Sequence, residues 1–149
     1  MSIRDGSLPE HVEDVGTRVV DAAFQVYSLL GPGMLESVYQ QAFAIALAAD
    51  GLSFQREVWM DVEFMGQTLR HAFRADFVIE KYCIVELKSV ESILAVHEKQ
   101  LVTYLRLARL PLGYLVNFNS PLFRQGVKRF VDSRHAPPQA ASRVREFAR

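Results

Sequence analysis

The segment ADFVIEKYCIVELK at residues 75–88 constrains the fold more than any other part of this chain. Two short apolar runs, Phe77-Val78-Ile79 and Cys83-Ile84-Val85, flank the triplet Glu80-Lys81-Tyr82. Runs rich in β-branched and aromatic residues around a short polar break read as two strands of a hairpin. Side chains on a strand alternate between faces, so Glu86 and Lys88 share one face, while Cys83, Val85 and Leu87 share the other. With Ile79 and Cys83 closing a three-residue turn, Asp76 falls opposite Glu86. Opposed residues of an antiparallel pair have Cβ atoms roughly 4.5 to 5.5 Å apart, close enough for two carboxylates to share one divalent cation.

Each residue type in this D…ExK pattern has a chemical use. Hard oxygen ligands suit Mg²⁺ (or Mn²⁺), and Mg²⁺ keeps several waters while taking one or two protein carboxylates. Such a cation acidifies a water and neutralises charge on a phosphodiester. Lys88 is a compact cation on a flexible stem, suited to a phosphate oxygen or the attacking water. On these residues alone the pattern is equally compatible with two solvated carboxylates and a surface ion pair worth about 0 to 1 kcal/mol.

The rest of the chain predicts an α/β domain. Val12, Val15, Val19, Ala23, Val26, Tyr27 and Leu30 recur with helical period over residues 9–30, up to the stop Gly31-Pro32-Gly33. Leu35, Val38, Tyr39, Ala42, Phe43, Ala46 and Leu47 predict a second helix ending at Gly51. Alternation through Val58, Met60, Val62 and Phe64 predicts a strand over 54–64, a turn at Gly66-Gln67, and a second strand over 69–79. A third strand is expected over 82–90, a helix over 92–107, a buried strand over 112–118, and an edge strand or short helix over 122–131. The order ααβββαβ describes a mixed sheet flanked by helices.

Two further motifs bracket the strands. Gly33-Met-Leu-Glu36-Ser-Val-Tyr39 lies upstream, and Gln100-Leu-Val-Thr-Tyr104 lies downstream. With D…ExK between them, and the run Gly113-Tyr-Leu-Val-Asn-Phe118 after them, the chain resembles the GxxExxY family, a branch of the PD-(D/E)xK nuclease superfamily, over residues 12–131. It departs from the pattern at Ala75, where the superfamily name has Pro, and at Asn119, where Gly often follows Asn-Phe. The resemblance implies a restriction-endonuclease-like core and a catalytic set of Glu36, Asp76, Glu86 and Lys88, with Gln100 and Tyr104 as the outer QxxxY element. It also implies Mg²⁺ or Mn²⁺ held by Asp76 and Glu86, with Glu36 completing or supporting the site, and a nucleic-acid substrate, DNA ahead of RNA. Read without the resemblance, Glu36 is also what a helix start favours after a Gly-Pro-Gly turn. Tyr39 and Tyr104 fit core positions, and His97 fits a satisfied structural histidine.

Composition sets the remaining expectations. A chain of 149 residues that is 50% hydrophobic can bury about 68 to 70% of its unfolded surface as one domain. We expect that domain over 1–132, with a basic tail over 133–149. One cysteine excludes an internal disulfide, no apolar stretch reaches the ~18 residues of a membrane span, and no leader is evident, so a cytoplasmic protein with no membrane contact is expected. The formal net charge is zero but unevenly spread: three basic against ten acidic residues over 1–63, seven against five over 64–120, and seven against two over 121–149. Arg124, Lys128 and Arg129 are therefore the expected phosphate contacts, whereas Arg143, Arg145 and Arg149 read as solvating charges in the tail. With so little net charge, a homodimer or accessory protein is the expected source of any tighter grip. No phosphate-binding loop, dinucleotide fingerprint, zinc-protease helix or nucleophile elbow is present. Trp59, Phe54 and Phe64 fall within a strand alternation and read as core or sheet-face residues before they read as a base-stacking platform. The alternative to a nuclease is a catalytically silent module of the same fold that binds nucleic acid or protein.

Overall fold

The computed structural model describes residues 8–135; the tail arginines 143, 145 and 149 lie outside them. Two helices lead the chain, α1 (Glu10–Leu30) and α2 (Glu36–Ala49). They are followed by β1 (Phe54–Phe64), β2 (Gln67–Ile79), β3 (Cys83–Lys88), α3 (Ala95–Ala108), β4 (Leu112–Asn117), α4 (Phe123–Gly126), β5 (Val127–Val131) and a single 3-10 turn at Ser133–His135. The five strands form one sheet in the order β1-β2-β3-β4-β5. Only the β3–β4 pair is parallel, with α3 as its crossover.

Period-two alternation sorts the central strands into two layers. Cys83, Val85 and Leu87 of β3, with Leu112, Tyr114 and Val116 of β4, pack under α1 and α2 against Val12, Val19, Tyr39, Phe43 and Leu47. Ile84, Leu115 and Phe130 pack on the other face against Leu101 and Leu105 of α3. Both faces of β4 are covered, which is why residues 112–117 are buried without exception. The β1–β2 hairpin is longer than its neighbours. Only Phe77, Val78 and Ile79 of β2 pair with β3, so the far half of the hairpin stands clear of the sheet.

Several boundaries differ from the sequence reading. The first hairpin turns at Met65-Gly66, both with left-handed φ (49° and 77°), and Gln67 already pairs with Phe64. β3 stops at Lys88 and not at residue 90, because the Asn117 side chain takes both backbone groups of Val90. α3 starts at Ala95, later than residue 92, with Leu94 as its N-cap. The segment 122–131 is both expected alternatives in succession, a short helix and then an edge strand. Leu35, placed on the apolar stripe of the second helix, is its N-cap residue and is 73% exposed.

The α4–β5 junction is packed tightly enough to test. A Cβ on Gly126 would collide with the Asn117 carbonyl oxygen and would lie 2.7 Å from Ser120 Oγ. Overpacking of this kind costs about 1 to 3 kcal/mol. We expect Gly126→Ala to lower the midpoint of thermal unfolding by several degrees, and an unchanged midpoint would show that the loop yields freely.

Candidate active site where β2 and β3 diverge

The last ladder pair between β2 and β3 is Phe77 with Val85. One step further, where Asp76 faces Glu86, side chains replace the backbone ladder. Glu86 Oε2 accepts the Asp76 N–H at 2.7 Å, and Asp76 Oδ2 accepts the Leu87 N–H at 3.0 Å. Each carboxylate is thus fixed by the backbone of the opposite strand. The two carboxyls are thereby brought close enough for each to perturb the other's protonation.

The electrostatics follow from burial and crowding. Burial pushes the Glu86 carboxyl up to about 8, with the Asp76 charge adding to the rise and the Asp76 N–H and Lys88 opposing it. Burial likewise raises Asp76, opposed by the Leu87 N–H, Lys88, the Glu86 hydrogen bond and Arg74. Both are therefore protonated more readily in the folded chain than in the unfolded one. Their contribution to stability is fully present near the ordinary carboxylate range, 3.8 to 4.5, and is lost as pH rises toward about 8. With metal chelated, we expect stability to fall by about 2 to 4 kcal/mol between pH 5 and pH 8. Urea unfolding at the two pH values checks this, and a rise toward pH 8 would contradict the crowded pair.

Two further charged groups act on this pair, Lys88 and Glu36. Lys88 lies two residues beyond Glu86 on the same face of β3, and its carbonyl oxygen accepts the Phe118 N–H at 3.0 Å. Its charge opposes the raised pKa of Asp76, Glu86 and Glu36 alike, so one ammonium serves three carboxylates. Glu36 is the first residue of α2, on the exposed rim; partial desolvation raises its carboxyl, with the Asp76 charge adding to this and Lys88 opposing it.

The loop before Glu36 is pinned from two sides. The buried Tyr39 hydroxyl accepts the Met34 N–H at 3.0 Å and donates to the Gly31 carbonyl, while its ring stacks on Phe118 at 4.5 Å. Ser89, directly after Lys88, donates from Oγ to the Met34 carbonyl at 2.8 Å. Among the described residues no group of three or more His, Cys, Asp and Glu side chains is gathered closely enough to hold a metal. The close pair is Asp76 and Glu86, and Glu36 stands beside it as an electrostatic neighbour.

On α3, the half-buried Tyr104 stacks on Phe73 at 4.4 Å. Burial raises its hydroxyl, and the charges of Glu86 and Asp76 raise it further. Gln100 is exposed one turn earlier. His97 is a satisfied structural group, its Nδ1 accepting the Leu94 N–H at 3.1 Å. The three basic residues expected at phosphates do not share a surface. Lys128 Nζ is 2.7 Å from Glu98 on the α3 side of the sheet, Arg129 is 2.7 Å from Glu13 on the α1 side, and Arg124 is exposed on α4. Arg134 pairs with the buried Asp132 at 2.8 Å.

Asn117 was not singled out from the sequence. It is 3% exposed, and its side chain accepts from Val90 N–H (3.0 Å) and Asn119 N–H (3.2 Å) and donates to the Val90 carbonyl (2.9 Å). It thereby fixes the chain two residues past Lys88. The available signal was a lone amide ending the apolar run Gly-Tyr-Leu-Val, since a buried amide needs partners.

A mixed five-stranded sheet between helices, with a D…ExK site at the divergence of two strands, is a restriction-endonuclease-like architecture. A family model described as the PD-(D/E)XK nuclease superfamily matches residues 13–130, and the chain belongs to that superfamily. Membership supports a nuclease-type function in general, and superfamily members typically use divalent metals. No curated protein and no solved structure matches the chain. Among the described residues no helix is long and apolar enough to cross a membrane.

Proposed function

We propose that this chain is a divalent-metal-dependent nuclease of the GxxExxY branch that hydrolyses phosphodiester bonds, with DNA ahead of RNA as substrate. The observation that carries the proposal is the Asp76–Glu86 juxtaposition, two carboxylates each locked by the backbone of the opposite strand, with Lys88 on the same face as Glu86. Two buried, adjacent carboxylates whose protonation is favoured by burial are a charge that a cation would neutralise, and this donor set fits Mg²⁺ or Mn²⁺, which accept two protein carboxylates and complete their shells with water. When bound, such an ion supplies positive charge against the scissile phosphate and acidifies water.

The chain's own groups supply the rest. Asp76 and Glu86 hold their orientation through the Leu87 and Asp76 N–H groups, so little reorganisation is needed on binding. Lys88 presents a fixed positive charge to the phosphate as negative charge builds on it. Glu36, with its raised carboxyl on the rim, is placed to accept or return a proton beside Asp76. Tyr104, with Gln100 one turn away, borders the pair from α3 and can orient water or a phosphate oxygen. Arg124 is the exposed basic group for the nucleic-acid backbone, while Lys128 and Arg129 reach phosphate only by exchanging their acidic partners.

The test is cleavage of single-stranded, duplex and branched DNA and RNA by the purified chain with Mg²⁺ or Mn²⁺, with Glu86→Ala as control. Cutting that survives in Glu86→Ala points to a contaminant. Tight binding without cutting by the native chain replaces this proposal with a silent binding module on the same fold.

A further inference from the structure

Trp59, the single tryptophan, is 43% exposed, which is unusual for so large an apolar ring on a strand. It lies on the half of the β1–β2 hairpin that stands clear of β3, on the side opposite its buried neighbours Val58 and Met60. Two nitrogen-bearing side chains flank the ring. The Arg74 guanidinium sits over it at 5.7 Å from the centroid, and the His71 ring is 5.4 Å away. Trp59 pairs directly with Arg74, and Arg74 precedes Asp76 by two residues on the same strand, a step of about 7 Å. Trp59 thus faces away from the α3 side of the sheet, with a cation beside it whose charge is felt at Asp76.

We infer that Trp59, with Arg74 and His71, forms a stacking subsite for an unpaired nucleobase, so that the chain engages single-stranded nucleic acid next to its phosphodiester site. The inference deepens the nuclease reading and rests on it. An aromatic face takes any base but only an unpaired one, because a base in a duplex has both faces covered by its stack. Arg74 supplies the complementary charge for the adjoining phosphate. Its present partner, Glu57, is 3.6 Å away and both side chains are largely exposed, so that pair yields to phosphate at little cost. The other acids of β1 are already engaged: Asp61 accepts the His71 N–H at 2.8 Å, and Glu63 accepts from Thr68 at 2.7 Å. Phe64, Met65 and Leu69 are further exposed apolar side chains toward the hairpin tip.

Because Trp59 is the only tryptophan, its fluorescence reports the site directly. With EDTA present to prevent cutting, we expect oligo-dT and oligo-rU to quench it, each arm showing whether that sugar is accepted. We expect Trp59→Leu to weaken single-strand binding by about 5- to 100-fold, the loss of one base–aromatic stack, with Trp59→Phe retaining most of the affinity and blunt duplex binding unchanged. Circular dichroism confirms that the variants fold. Binding without quenching, or equal affinities for native chain and Trp59→Leu, overturns the subsite. So does a change in sedimentation of Trp59→Leu at unchanged affinity, which would assign the patch to a protein contact. A chain that cuts but shows no quenching loses the subsite and keeps the nuclease; a chain that binds no nucleic acid loses both.

Discussion

Replacing Lys88 by Met is expected to leave a folded protein that still binds Mn²⁺ and nucleic acid but cleaves about 10²- to 10³-fold more slowly. The magnitude is that for removing one group aimed at charge that develops only in the transition state. Stability should change little, because Lys88 is held through its backbone, with its carbonyl on the Phe118 N–H and its strand paired to Asn117. Methionine matches the stem and loses only the ammonium. The one electrostatic cost falls on Asp76, Glu86 and Glu36, whose carboxyls lose a stabilising cation and rise further. The pH–rate profile of the residual activity should therefore move to higher pH. Single-turnover rates against pH, with Mn²⁺ affinity measured alongside, separate this outcome from a folding defect. Normal cutting by the variant removes Lys88 from the chemistry.

How far the site was legible depends on the range of the interactions that set it. The pairing of Asp76 with Glu86 follows from a three-residue turn and strict alternation, both local, and the observed Ile79–Cys83 pair closes that turn as expected. The two layers were legible for the same reason, since Cys83, Val85 and Leu87 must part from Ile84 in any extended strand. What was not legible depends on distant partners. The end of β3 is decided by Asn117, 27 residues away from Val90, and no local signal marks it. Lys128 and Arg129 read as one basic patch because they are adjacent, but adjacency on a strand places them on opposite faces, where Glu98 and Glu13 meet them. Trp59 follows the expected alternation. Its exposure comes from the hairpin outrunning β3, a property of relative strand lengths that no single segment contains.

Neutralising Glu86 as Glu86→Gln is expected to reverse the sign of the metal response. In the native chain with EDTA at pH 8, two carboxyls, Glu86 held by the Asp76 N–H and Asp76 by the Leu87 N–H, are crowded together, and deprotonating both costs stability. Glutamine keeps an oxygen for the Asp76 N–H and removes the like charge, so the chelated variant should melt above the chelated native protein, by a margin that shrinks toward pH 5. Adding Mn²⁺ at about 100 times its dissociation constant should stabilise the native chain by about 2.7 kcal/mol. For a chain of this length that is on the order of 10 °C in the unfolding midpoint. Glu86→Gln and Asp76→Asn should show almost none of this rise, because one carboxylate in two is gone and, among the described residues, no third His, Cys, Asp or Glu stands close enough to replace it. The two effects oppose each other, so a general loss of stability cannot imitate them: the variants lead in EDTA and trail in Mn²⁺. Equal Mn²⁺ shifts in all three proteins would place the metal elsewhere, and a chelated Glu86→Gln that melts below the native chain at pH 8 would mean that the pair is not under electrostatic strain at all.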